Sequence, residues 1–386
     1  MTRNLVFILI ILLIIYFLIP NKLEEQQEKK KEEKEITEMR GIFVSYIELD
    51  NYIKNKSEKE SKKSIDEIIN NTKKAKFNTL FLQVRSHMDS IYESNIFPVS
   101  KHILLKDNKN YDVLDYFIRK ANKNNIDIYA WVNPYRIDKN ISEDNTYYER
   151  VKDDIKLVGD TYYLNPASKN TTKLICDGIE EIVENYKVKG IIFDDYFYPS
   201  KDIDLDNYKD ENPNISIEEY RLNKITDMIN QVNRTIKSKN KKVLFGISPE
   251  GNIDNNYNKN YLDVKKIASS NKYVDFLMPQ IYYGFENESK PFINVYKEWN
   301  DIINDKRIKL YVALALYKSG KLDFYAKKGK EEWINNYDII KKQVLHIREN
   351  NTNSGFSIFR YDNLFNPNNY TENTVKEVEN LNSILY

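Results

Sequence analysis

Two consecutive carboxylates, Asp194 and Asp195, end an apolar run made of Gly190, Ile191, Ile192 and Phe193. A polar-aromatic turn of Tyr196, Phe197 and Tyr198 follows and is closed by Pro199. An all-apolar run of this kind belongs inside a parallel sheet covered on both faces. Acids at the carboxyl end of such a strand stand where parallel α/β folds carry their chemistry, because the loops there converge on one face. One carboxyl kept protonated beside another left ionised is the equipment of acid–base hydrolysis. The plainer alternative is that one Asp caps the next helix while the other is solvated.

The elements that would position these acids recur along the chain. Short β-branched or aromatic runs occupy residues 39–46, 78–85, 126–133, 190–195, 243–249, 274–283, 308–317 and 355–361. Amphipathic stretches at helical spacing lie between them. Val113, Phe117 and Ala121 form one stripe, and Leu174, Ile175, Ile179, Ile182 and Val183 another. Ile225, Ile229, Val232 and Ile236 form a third, opened by Ser216 and Glu219 in capping-box spacing. Val375, Val378, Leu381 and Leu385 predict a closing helix. Eight strands alternating with helices predict an α/β fold, a (β/α)8 TIM-type barrel over residues 40–386. An open doubly wound sheet would carry a Gly-rich phosphate turn after its first strand, but Val44, Ser45, Tyr46 and Ile47 follow there, so no nucleotide cofactor is expected.

In a barrel, the carboxyl ends of the strands form one ring around a single mouth. Here they carry Gln83, Arg85, His87 and Asp89, then Trp131, Asn133 and Arg136, the Asp pair, Ser248 and Glu250, Gln280 and Tyr282, Tyr317 and Lys318, and Arg360. Such a rim suits a sugar cleft, with aromatic faces stacking on pyranose rings and amide and guanidinium groups bonding hydroxyls. For Trp131, Gln280 and Tyr282 the alternative is a place in the barrel core. His87 has no partner at ligand spacing, so no metal site is expected.

Seven segments resemble the bacterial glycosyl hydrolase-like 10 family: FLQVRSHMDSIY (81–92), IYAWVNPYR (128–136), YLNPA (163–167), GIIFDDYFYP (190–199), FGISPEG (245–251), MPQIYY (278–283) and ALALYKSG (313–320). They run in family order from residue 40 to about residue 363. Ser86 and His87 depart from the pattern, and Glu250 stands where the family varies. The resemblance implies a (β/α)8 barrel in exported, often membrane-anchored bacterial proteins that act on cell-wall glycan; the leading expectation is a hydrolase of peptidoglycan glycan strands, and no cofactor is expected. By analogy with related sugar-cleaving barrels, Asp194 is favoured as nucleophile or base. Alternation along a strand would turn Asp195 away, to hold a loop or an Arg. The second carboxyl stays open between Glu250 and Asp89. Arg85, Trp131, Asn133, Arg136, Gln280, Tyr282 and Tyr317 are the expected substrate contacts. Two other functions compete: a non-catalytic carbohydrate-binding barrel, and a polysaccharide deacetylase that would need a metal held by histidines, of which the chain has only His87, His102 and His346.

The remaining features bound the setting. A net charge of +1 with interspersed signs argues against a nucleic-acid partner, and a single cysteine excludes an internal disulfide. Residues 5–19 are unbroken apolar sequence behind Arg3, with no small-residue cleavage site beyond them. They predict an uncleaved signal anchor over residues 1–20, with the rest outside the cytoplasm; a cleaved signal peptide is the alternative. Residues 21–39, rich in Glu and Lys, read as a charged linker.

Overall fold

The computed structural model describes residues 38–106, 111–351 and 355–385. The expected anchor, and all but the end of the expected linker, lie outside these residues. Among the described residues, no helix is long and apolar enough to cross a membrane.

All eight expected runs form strands of one closed parallel barrel. They are β1 (Met39–Val44), β2 (Thr79–Arg85), β3 (Asp127–Val132), β6 (Gly190–Phe193), β7 (Leu244–Ile247), β8 (Phe276–Leu277), β9 (Lys309–Leu314) and β10 (Gly355–Ile358). Each pairs with its neighbour in this order, and β10 closes on β1 through Met39 opposite Gly355. Two further strands, β4 (Ile155–Val158) and β5 (Thr161–Leu164), form a separate antiparallel hairpin. It turns at Gly159, whose φ of +63° suits a residue without a side chain.

Side-chain alternation divides the barrel into two packed layers. Phe43, Phe81, Tyr129, Trp131, Ile192, Phe276, Met278 and Tyr311 fill the interior as one buried cluster. Their strand neighbours Ile42, Val44, Leu80, Leu82, Ile128, Ala130, Ile191 and Phe193 face the helices. The aromatic filling needs room, and glycine provides it: a Cβ on Gly246 would lie 2.3 Å from the Phe276 ring.

Three helices follow the stripes expected of them, while the closing helix buries Thr374, Glu377 and Leu381 and leaves Val375 exposed. Helix Val113–Asn122 buries Val113, Phe117 and Ala121. Helix Lys169–Asn185 buries Leu174, Ile175, Ile179, Ile182 and Val183. Helix Ile217–Lys239 buries Ile225, Ile229, Val232 and Ile236; Ser216 caps it by accepting from the Glu219 N–H. Glu372–Asn382 is the closing helix.

Two local departures from the sequence reading have backbone causes. The run at 274–283 keeps only two residues in β8, because Pro279 has no N–H to continue the ladder. Pairing resumes at Gln280, which bridges both Glu250 and Ala313. In β2 the register against β3 shifts between Gln83 and Arg85, and this irregularity decides where Arg85 points.

Candidate active site

The strand ends surround a cavity of about 320 Å³ lined by Phe43, Ser45, Tyr46, Ile47, Gln83, Trp131, Arg136, Asp194, Asp195, Tyr196, Ser248, Gln280, Tyr282, Tyr317 and Phe359. Asp194 directly follows β6 and, two residues after inward-facing Ile192, continues its side of the strand. Only 5% of its surface is exposed. Its Oδ2 accepts from Asn133 Nδ2 at 2.6 Å and from the Trp131 indole N–H at 3.3 Å. Its Oδ1 is buried without a hydrogen-bond partner.

Asp195 lines the same cavity. Strand alternation would have turned it away, but β6 ends at Phe193 and the chain bends at Asp195. The sequence reading is corrected on this point: both acids face one space. Burial, and next the charge of Asp195, raise the Asp194 pKa to about 7, against Arg136 and the Asn133 bond. Burial also raises Asp195, opposed by its backbone and by Gln280, while Glu250 adds to the rise. A buried carboxyl beside a half-buried one resists double ionisation, so the pair retains a proton into the neutral range.

The walls are aromatic. Tyr282 and Tyr317 meet edge to face with centroids 5.8 Å apart, and Phe359 lies 6.0 Å from Tyr282. Arg136 stands 5.6 Å from the Tyr46 ring centroid and 5.9 Å from that of Tyr196. Its Nε and Nη2 donate to the Ser86 carbonyl at 2.9 and 2.7 Å. Tyr196, 60% exposed, lies on the open side. Gln280 donates to the Ser248 carbonyl at 3.0 Å.

The cavity therefore brings together Asp194, Asp195, Trp131, Arg136, Gln280, Tyr282 and Tyr317, with Asn133 directly behind Asp194. Three expected members stand elsewhere. Arg85 is fully buried toward the helices, its guanidinium 3.8 Å from the Phe97 ring centroid. The shifted β2 register and Gly178, where a Cβ would lie 2.4 Å from Arg85 Nη1, make this placement possible. Asp89 does not line the cavity; its Oδ1 accepts from the His87 N–H at 3.1 Å, beside His102. Glu250 borders the site but accepts from Asn255 Nδ2 at 2.5 Å and is not among the lining residues.

Several lining residues were not named as sugar contacts from sequence. Tyr46, Ser45 and Ile47 follow β1 and Phe359 follows β10, so the strand-end rule applied to the first and last strands would have found them. Gln83 and Ser248 were placed on the rim without a role. Gln83 donates to Asn133 Oδ1 at 2.6 Å and so supports the residue that holds Asp194.

The histidines also differ from expectation. His87 and His102, far apart in the chain, stack with ring centroids 5.6 Å apart beside Asp89. Neither lines the cavity, and His346 packs against Tyr296 instead. A metal centre acting together with the Asp pair, as a deacetylase would require, is not assembled among the described residues.

A profile of the glycosyl hydrolase-like 10 family matches residues 38–334. The chain belongs to this family. "Glycosyl hydrolase DigH" of Escherichia coli K12 is 29% identical over 326 residues, covering 75% of this chain and 73% of its own. "Glycosyl hydrolase YngK" of Bacillus subtilis is 28% identical over 293 residues, covering 68% of this chain and 57% of its own. The barrel is also similar to the PgaB (BpsB) glycoside hydrolase domain of Bordetella bronchiseptica, with a TM-score of 0.60 at 12% identity over 90% of this chain and 98% of that one. The cold-adapted β-galactosidase of Rahnella sp. R3 gives 0.61 at 10% identity, over 91% and 56%. These last two likenesses bear on the fold alone, a closed parallel barrel.

Proposed function

We propose that the protein hydrolyses O-glycosidic bonds in a bacterial cell-wall glycan, with Asp194 and Asp195 as its acid–base pair. The carrying observation is that both carboxyls face one aromatic-walled cavity at the carboxyl ends of the barrel strands. Family membership and relatives named glycosyl hydrolases support the reaction class. Peptidoglycan glycan strands are the proposed substrate, in keeping with a barrel held outside the cytoplasm by residues 1–20 as a membrane anchor.

The environments of the two acids suggest a division of labour that differs from the first expectation. Asp194 is the more deeply buried, with its pKa raised to about 7 and its Oδ1 unpartnered. These properties suit the proton donor to the leaving oxygen. Asp195, which lines the cavity together with Gln280, supplies the negative charge opposite a developing oxocarbenium ion or activates water. Trp131 and Asn133 fix Asp194 by occupying its other oxygen. Tyr282, Tyr317 and Arg136 offer stacking faces and donors to the sugar.

The test is digestion of purified, peptide-free glycan strands by the full-length chain, with new reducing ends as the readout. Release by the unmodified protein, lost in Asp194→Asn and Asp195→Asn, upholds the proposal. Glycan binding without release by the unmodified protein would replace it with a carbohydrate-binding barrel. Recovery of the full chain in the membrane pellet after a carbonate wash is expected of the anchor; a mature form starting after residue 20 would show cleavage.

A further inference from the structure

The loop after β2 and the short turn Lys101–Ile103 bring three metal-ligating side chains together outside the cavity. His87, Asp89 and His102 each offer a ligand atom, and these atoms lie within 4.8 Å of one another. The sequence hides this grouping, because a long loop separates His102 from the other two and no familiar ligand spacing results.

The partners of each imidazole are informative. His102 Nδ1 is 3.0 Å from Asp50 Oδ2, while its Nε2 is buried with no partner. His102 is 4% exposed, so that free nitrogen cannot be satisfied by bulk water. His87 Nδ1 is 2.8 Å from Ser86 Oγ. In both rings one nitrogen is thus engaged by an oxygen, which is how protein metal sites fix the tautomer and aim the other nitrogen at the ion. Asp89 Oδ1 is held by the His87 N–H, leaving lone pairs on the carboxylate.

The surrounding charges tolerate a cation. Lys101 is paired with Asp138 at 2.5 Å and Lys54 with Asp50 at 3.0 Å, while Arg136, bonded to the neutral Ser86 carbonyl, keeps its positive charge near His87. Asp89 supplies the negative charge that offsets Arg136, and Asp50, already paired with Lys54, orients His102.

We propose that His87, Asp89 and His102 form a binding site for one divalent transition-metal ion of the zinc class. Two imidazoles and one carboxylate suit zinc and its neighbours, whereas calcium and magnesium prefer oxygen ligands throughout. Tetrahedral binding at about 2.0–2.2 Å per bond would draw the three ligands closer than they stand now. His87 is half-buried and lies on a loop, so it has room to make that adjustment. The fourth position falls to water.

The bound ion would tie the β2 loop to the Lys101–Ile103 turn behind Tyr46. That ring lies 5.6 Å from His87 and 4.8 Å from His102, and it lines the cavity. The site does not depend on the glycosidase proposal.

The experiment uses the full-length chain, stripped by a chelator and titrated with Zn²⁺ by calorimetry and with Co²⁺ by visible absorption. One equivalent of each should bind, Co²⁺ should give tetrahedral d–d bands, and Zn²⁺ should raise the thermal midpoint. His102→Ala and His87→Ala should abolish saturable binding, Asp50→Asn should weaken it by roughly 10–100-fold, and His346→Ala should leave it intact. His87→Ala changes a half-buried loop residue and carries the test if His102→Ala does not fold. No saturable binding by the unmodified chain, or equal affinity in the variants that fold, would overturn the proposal.

Discussion

Asn133 donates its amide N–H to Asp194 Oδ2 at 2.6 Å while its own Oδ1 accepts from Gln83 at 2.6 Å. The chain from Gln83 through Asn133 to Asp194 is buried throughout. It fixes which oxygen of Asp194 is occupied and which remains free. Asn133 touches Asp194 and is a positioning residue. We expect Asn133→Ala to lower kcat about 10-fold or more with little change in KM, the loss of one buried charge-assisted bond. Since that bond lowers the Asp194 pKa, the alkaline limb of the pH–rate profile should move upward. An unchanged limb would separate Asn133 from the titrating group.

Asp194→Asn and Asp195→Asn should each reduce hydrolysis of glycan strands by about 10³-fold or more, several kcal/mol of barrier. They differ in leaving-group dependence. Asp194→Asn should retain much of its rate on aryl glycosides with good leaving groups, which need no proton, while Asp195→Asn should not. The reverse pattern would exchange the two roles.

Stability should also respond to pH through Asp194. Its folded pKa, about 7, lies above the ordinary 3.8. Between these values the native state holds a proton that the unfolded chain has released, so stability falls as pH rises through the window. The contribution is present below the unfolded pKa and is lost by the time pH passes the folded one. Asp194→Asn should flatten this slope and make the variant more stable than the parent above neutrality, by up to a few kcal/mol. Urea unfolding at pH 5 and pH 8 measures the difference.

Tyr317→Ala and Tyr282→Ala should raise KM more than they lower kcat, by about 5–10-fold each, as expected of sugar-stacking faces worth roughly 1 kcal/mol. A change confined to kcat would place them with the acids instead.

Arg360→Met tests the scaffold beyond the carboxyl ends of β1 and β10. Glu48 is fully buried and bonded to the Ser45 N–H at 2.9 Å, to Ser45 Oγ and to the Arg360 guanidinium. Without Arg360 its charge would be left buried and unpaired, at a cost of about 3–5 kcal/mol. The shift of the urea midpoint reads this directly, and a neutral result would mean that Glu48 is protonated in the folded chain.

The barrel was legible because its information is local. Each β-branched run sits between amphipathic stripes, and alternation such as that of Phe81 with Leu80 and Leu82 is written in consecutive residues. The rim was legible for the same reason, since a strand end needs only the strand to be found. What escaped depends on backbone geometry or distant pairing. Asp195 turns inward because β6 stops at Phe193, two residues before the end of the expected run at 190–195. Arg85 leaves the rim through a register shift in β2 that no single residue announces. The β4–β5 hairpin carried a faint signal, Gly159 and Asp160 between aromatic and β-branched residues, which the alternation of larger units obscured. His87 and His102 meet only after the long β2 loop has folded back.

The aromatic filling of the barrel has one more consequence. Phe43 and Trp131, with centroids 5.3 Å apart, and Phe81, 5.0 Å from Phe43, make a solid floor under the acids. A polymer cannot thread along the barrel axis; it has to lie across the mouth and present one linkage downward. Depth is thus set by residues that also hold the strands together, whereas selectivity is left to side chains on separate loops. Exchanging Tyr196 or Ile47 alters what the mouth accepts without disturbing what keeps it open, so new specificities can be explored on this chain one loop at a time.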